Sequence, residues 1–295
     1  MRRIILTLLL AATLTPASFA GEKSPLFHLN IGRSDSKEIK HLLTSQVKYA
    51  NKTDFNKFIA TYDKSYVNSD GFDLSTYSEL VKDTWKTFNN IEYGIKIKNI
   101  EIENDTAVAE LEETSYAYIP MSKKLDGVLR SKADSVYYLK KKDGKWVVTS
   151  DSVISETTSM MYGDARFLDV KLSAPNQISA STEYTATLEF DPPDDTIAIA
   201  SIAMDKVEYP QKQTKEVFRR LPDDNILERL FISNSDNVNE YIVASIGLTK
   251  ADIQDLSIKL SLTGFGYQIT RVNVVPKNKF IVNEGIKQDE NVELE

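Results

Sequence analysis

The chain has no cysteine and only two histidines in 295 residues. The first absence excludes structural disulfides, a lipoprotein anchor and thiolate metal ligands. The second leaves His28 and His41, too few for a His-rich zinc site. A Ser-His-Asp triad would have to draw on one of these two. His28 lies in a polar lead-in. His41 sits on a helical stretch beside Leu42 and Leu43, where a surface or boundary residue is a simpler reading than a catalytic base. No G-x-S-x-G, Walker A, G-x-G-x-x-G or H-E-x-x-H pattern occurs. Asp191, Asp194 and Asp195 suit a cation. They lack the acid order and turn glycine of an EF-hand, so an acidic turn is the better reading. Neither a metal nor a cofactor is expected.

Basic charge is also short. Lys and Arg number 36 against 43 Asp and Glu. Without Arg2 and Arg3, which lie in the leader described next, 34 basic residues remain and the formal charge is −9. That balance argues against nucleic acid or an anionic membrane surface as partner, since both are bound largely through basic surface.

Residues 1–20 have the layout of a secretory signal peptide. Arg2 and Arg3 precede a short apolar run over 4–14, and Ser18-Phe19-Ala20 places small residues at −3 and −1 before Gly21. That run is too short for a permanent span, and no later stretch is long or apolar enough. The expected mature protein is exported and soluble, periplasmic or extracellular. Roughly 275 residues without disulfides suffice for two domains with real cores.

Residues 21–34 form a lead-in with Pro25 and Gly32. Ser34, Asp35 or Ser36 is placed to cap a first helix, on which Ile39, Leu42, Leu43, Val47 and Ala50 recur. A second stripe runs Phe55, Phe58, Ile59, Tyr62, Tyr66. Asp73 can cap a third helix bearing Tyr77, Leu80, Val81, Trp85 and Phe88. Each has i, i+3 or i+4 spacing and one buried face. The period then falls to two. Ile95 and Ile97 alternate over 91–103, and Ala107, Ala109 and Leu111 oppose Glu110 and Glu112 over 106–119, after a turn at Asn104-Asp105. A loop with Lys123-Lys124 leads to residues 133–152, two strands around Asp143-Gly144, a pair suited to a type I′ turn. Helices followed by a connected antiparallel sheet mean an α+β domain with helices on one face.

Residues 36 to about 158 resemble the NTF2-like (SnoaL-like, cystatin-like) superfamily, a cone of helices over a curved sheet. The aromatic helix stripes, NDTAVAELE and above all YYLKKKDGKWVVTSD carry the resemblance. It implies a pocket at the open end of the cone, where enzymes similar to ketosteroid isomerases or scytalone dehydratases use Asp, Tyr or His. The pocket candidates are Tyr62, Asp63, Tyr66, Trp85, Tyr116, Tyr138 and Asp151. An Asp base beside a Tyr donor would enolise a carbonyl substrate if burial raised the carboxyl pKa. Against this, Tyr62, Tyr66 and Trp85 lie on apolar stripes, as core residues do. Asp63 should point about 100° from Tyr62, toward solvent.

Residues 164–276 read as seven short strands, over 167–172, 183–190, 196–204, 227–233, 241–248, 256–262 and 267–275. Pro175-Asn176, Asp191-Pro192-Pro193, residues 233–236 and Thr263-Gly264 separate them. This pattern is that of an immunoglobulin-like β-sandwich without its Cys…Trp…Cys signature. Residues 211–221 fit helix or strand. Residues 277–295 form a polar, acidic tail. The expected boundaries are therefore 1–20, 21–34, 35–160, 164–276 and 277–295.

Lys140, Lys141, Lys142 and Lys145, with Lys123 and Lys124, offer a surface for an acidic partner; a solvated turn protecting a strand edge is the plainer reading. With no catalytic set, the leading expectation is an exported non-catalytic binding or assembly module for a protein or small-molecule ligand, with a homodimer face as one form. An isomerase- or dehydratase-type enzyme using the cone, and a cell-surface adhesion protein, are the alternatives.

Overall fold

The computed structural model describes residues 31–121, 125–212, 215–254 and 257–277. The leader, His28, Lys123, Lys124 and nearly all of the acidic tail lie outside them. Three helices come first: α1 (Ile31–Ala50), α2 (Phe55–Ile59) and α3 (Leu74–Thr87). Four strands follow: β1 (Glu92–Glu103), β2 (Thr106–Ile119), β3 (Gly127–Lys142) and β4 (Lys145–Gly163). They pair in sequence order, all antiparallel. Asp143 and Gly144 both have positive φ, 49° and 74°, which the type I′ turn between β3 and β4 requires.

Asp73 caps α3, accepting from the Thr76 amide at 2.8 Å. Two other helix expectations are corrected. Helix α1 begins at Ile31, so Ser34, Asp35 and Ser36 lie inside it. Asp35 instead reaches the β3–β4 hairpin, where Lys141 Nζ lies at 2.5 Å and Trp146 Nε1 donates at 3.1 Å. Helix α2 ends at Ile59, because the chain beyond joins β4. Tyr62 bridges Val148, and the Asp63 amide donates to the Val148 carbonyl at 2.8 Å. Tyr62 and Tyr66 are nevertheless buried, on an irregular segment.

Strand β4 does not end the sheet. Its last residues pair with β12 (Ser257–Val275), which pairs with β11 (Glu240–Gln254), and that with β8 (Thr196–Lys206) and the short β9 (Arg219–Arg220). The order is β1-β2-β3-β4-β12-β11-β8-β9, with β6 (Gln177–Ser179) parallel to β12 at the side. A second antiparallel sheet, ordered β10 (Ile226–Ile232), β7 (Glu183–Glu189), β5 (Lys171–Ser173), covers the far face. Three strand expectations change. The strand expected over 167–172 begins only at Lys171, after a 3-10 turn over Asp164–Phe167. Among the described residues of 211–221, the regular structure is the short β9. Thr263-Gly264 is a register shift within one long strand, not a break.

The strand period of two explains how one sheet serves two cores. In β11, Tyr241 and Val243 join the helix core, while Ile242, Ala244, Ile246 and Leu248 face Tyr184, Leu188 and Phe231 of the second sheet. Burial on both faces matches the largely apolar run from Tyr241 to Leu248, interrupted only by the buried Ser245. Residues 35–160 and 164–276 thus share a sheet through the β4–β12 pairing. That pairing is close: a Cβ at Gly264 would lie 2.5 Å from the Ala165 nitrogen and 3.0 Å from the Tyr162 carbonyl oxygen. Because those neighbours are backbone, they cannot swing aside. Gly264→Ala is expected to cost about 2–3 kcal/mol, measured as a lower urea midpoint at unchanged slope.

Candidate functional site

A cavity of about 90 Å³ lies between α1, α3 and strands β1 to β3. It is large enough for several waters or a small organic group. Phe58 enters from α2, Tyr62 from the segment pinned to β4, Tyr77 and Trp85 from α3, Tyr93 from β1 and Tyr137 from β3. Trp85 Nε1 donates to the Tyr93 hydroxyl at 3.2 Å, and Asn51 clamps the Tyr93 backbone through both its amide and its carbonyl at 2.7 and 2.9 Å. The Tyr62 and Tyr77 hydroxyls lie 2.8 Å apart.

Glu113, on β2, is the carboxyl group on this wall. Tyr137 donates to its Oε1 at 3.0 Å, while Oε2 is shielded from solvent without a partner among the described residues. Burial pushes its pKa up, and hydrogen bonding from Ser135 and Tyr137 offsets part of the rise. Burial raises the phenols of Tyr62, Tyr77 and Tyr137 as well. Glu113 is not among the residues expected from the sequence. The same alternation carries the inner row Ala107, Ala109, Leu111 one step further to Glu113.

The structure divides the seven expected site residues. Tyr62 and Trp85 line the cavity. Tyr66 donates to Asp151 Oδ2 at 2.8 Å, and Asp151 is wholly buried with its pKa pushed well up by desolvation. This pair lies behind Tyr62 and Tyr77 rather than on the lining. Tyr138 points to the opposite face from Tyr137, and Tyr116 is 43 % exposed beneath the Arg130 guanidinium. Asp63 does not face open solvent as expected. Lys142 Nζ sits 2.7 Å from it, and that contact with the Ser65 hydrogen bonds holds its pKa down at about 2. Lys141 and Lys142 of the basic tip are thus both committed within the chain. Among the described residues no group of three or more His, Cys, Asp or Glu could hold a metal ion.

Further in, the interior stays polar. Arg271 of β12 is 1 % exposed. Its Nη2 donates to Asp70 Oδ1 at 2.6 Å and its Nε to Asn273 at 2.8 Å. Asn239 adds a 2.7 Å donor to Asp70. Beside them, Tyr241 donates to Glu156 at 3.0 Å.

No family model matches the chain, and no curated protein matches it. Part of the chain is similar to solved structures with a cystatin-like fold. A protein of unknown function from Nostoc punctiforme is 17% identical, with 41% of this chain and 90% of that one covered and a TM-score of 0.33. An NTF2-like protein from Novosphingobium aromaticivorans is 14% identical, with 42% and 82% covered and a TM-score of 0.34. Bd1075 of Bdellovibrio bacteriovorus is 12% identical over 43% of this chain, with a TM-score of 0.35, and the match spans 42% of its own length.

Desolvation raises Glu156 from 4.5 to about 7, against the opposing pull of Arg271 and the Tyr241 hydrogen bond. An acid whose folded pKa is raised binds its proton more tightly when folded. Its contribution is therefore complete below about pH 4.5 and lost as pH climbs through about 7. Unfolding free energy is expected to fall by about 3 kcal/mol across that window from Glu156, with Glu113 and Asp151 acting in the same direction. Glu156→Gln should flatten this dependence in urea titrations run from pH 4 to 8. An unchanged slope would refute the assignment.

Proposed function

We propose that this chain is an exported, non-catalytic binding module whose helix–sheet half holds a small molecule in the Glu113 cavity. Export rests on the layout of residues 1–20. Binding rests on one observation: the cone interior is hollow at a place where polar groups converge on an apolar, aromatic wall. Pockets for small ligands have this character, a few polar groups fixing orientation within apolar surroundings. The candidate acid–base pairs are not assembled there. Asp63 is held by Lys142 on the outside, and Asp151 is engaged by Tyr66 behind the lining.

An isomerase- or dehydratase-type enzyme is the second reading, favoured by Glu113 beside Tyr137. A carboxyl with a raised pKa next to a phenol has the make-up of a general acid–base pair. It would convert its ligand, whereas the binding module releases it unchanged.

Val81 lines the cavity from α3, and Val81→Phe would fill the space from that side. A melting screen with small neutral, cationic and anionic molecules should find a class that raises Tm by a few degrees in the native chain and not in Val81→Phe. No effect from any class, or an equal rise in the variant, would contradict the proposal. Mass analysis of the stabilising compound after incubation separates the two readings: unchanged for a binder, altered for an enzyme.

A further inference from the structure

A second cavity, of about 130 Å³, opens at the edge of the two packed sheets and is lined by no helix residue. Ile202 of β8, Val217 before β9 and Leu227 of β10 give it an aliphatic wall. Arg219, Arg229 and Glu228 supply its charge. Local structure explains why two guanidiniums meet there. Residues two apart on a strand share a face. Arg229 therefore points the same way as Leu227 and Phe231, which pack into the second core. Arg219 lies opposite Ala200 in the β8–β9 register, and Ala200 belongs to that core too. Both β9 and β10 are the last strands of their sheets, so both arginines reach the gap between the sheets from its open side.

Arg229 is held in position. Its Nη1 donates to the Ile202 carbonyl, and its guanidinium lies 5.1 Å from the centre of the Phe231 ring. Neither Arg219 nor Arg229 forms an ion pair among the described residues. The nearby lysines differ: Lys206 and Lys212 are answered by Asp236 and Glu208 at 2.6 and 3.0 Å. A guanidinium fork matches the two oxygens of a carboxylate. Glu228 opposes any further negative charge on the same ligand.

We propose that this cavity binds a small monocarboxylate, its carboxylate between Arg219 and Arg229 and its aliphatic part against Ile202, Val217 and Leu227. A cation would meet two like charges, and a neutral molecule would leave both guanidiniums unanswered. An inorganic dianion would bring its second charge to Glu228 and leave the aliphatic wall uncovered. Size sets the chain length: a cavity of about 150 Å³ holds benzene, so about 130 Å³ suits about five non-hydrogen atoms. Arginine stays protonated at any ordinary pH, so affinity should be level between pH 6 and 8. Both side chains are exposed, so added salt should weaken it.

Propionate, its neutral analogue propionamide and sulfate are close in size and separate carboxylate recognition from shape and from bare charge. Titrating each into the isotope-labelled full chain, and following the arginine Nε–Hε resonances by nuclear magnetic resonance, reads the site directly. Propionate is expected to shift the Arg219 and Arg229 signals with an affinity at least about tenfold above that of propionamide or sulfate. Arg219→Gln, at an exposed position, should abolish the response at Arg229. Val81→Phe, which fills the other cavity, should leave it intact. Equal affinity for propionate and either control, a response at Arg229 that survives Arg219→Gln, or no response to any probe would overturn the proposal. Loss of the response in Val81→Phe would also overturn it, by moving the ligand to the Glu113 cavity.

Discussion

The ion pair between Arg271 and Asp70 is the constraint on which the interior depends. A guanidinium taken out of water needs its charge answered. Here Asp70, 201 residues away in sequence, answers it at Nη2, and the neighbouring Asn273 accepts from Nε, while Nη1 has no hydrogen-bond partner among the described residues. Asp70 belongs to the tight turn before α3, where Gly71 has a φ of +82° and Asn68 accepts from the Phe72 amide at 2.7 Å. Fixing Asp70 therefore fixes the turn, the Asp73 cap and the start of α3. Tyr77 and Trp85 follow from that helix, and with them one wall of the cavity. The shape of the site thus depends on a strand at the other end of the chain.

Around this pair the interior solves one problem three times. Glu113, Asp151 and Glu156 are carboxyls out of water, and each accepts from a tyrosine hydroxyl: Tyr137, Tyr66 and Tyr241. A phenol donates to either protonation state, so such pairs hold a carboxyl in place without requiring its charge. The three differ in their surroundings. Glu156 and Asp151 feel Arg271, whereas Glu113 lies on the cavity wall, whose described lining has no cation.

Much of the first half was legible. Asp143-Gly144 marked the hairpin because both residues must take positive φ, and Asp73 marked the α3 cap because the first-turn amides need an acceptor. What escaped lay in contacts between distant segments. Asp35 looked like a cap, but Lys141 and Trp146 compete for it from a hairpin a hundred residues away. The stripe through Tyr62 and Tyr66 looked helical because their burial has helical spacing, though backbone pairing with Val148 ends the helix. Thr263-Gly264 resembled a turn, whereas the glycines there allow β4 and β12 to approach closely. Arg271 carried no local signal, since its partner cannot be inferred from its neighbours. Of the site, Tyr62 and Trp85 were found and Glu113 was missed, although the alternation that buried Leu111 also pointed to it.

One sheet, two cores and a buried charge pair joining the turn before α3 to β12 should make the chain unfold as a unit. Both tryptophans, Trp85 and Trp146, lie in the helix–sheet half, so indole fluorescence reports that half while far-ultraviolet circular dichroism reports all strands. Urea unfolding followed by both signals is the most direct measurement. Coincident transitions are expected for the native chain, and separation of the two for Arg271→Met. Separate transitions in the native chain would contradict the dependence of the cavity wall on the C-terminal strands.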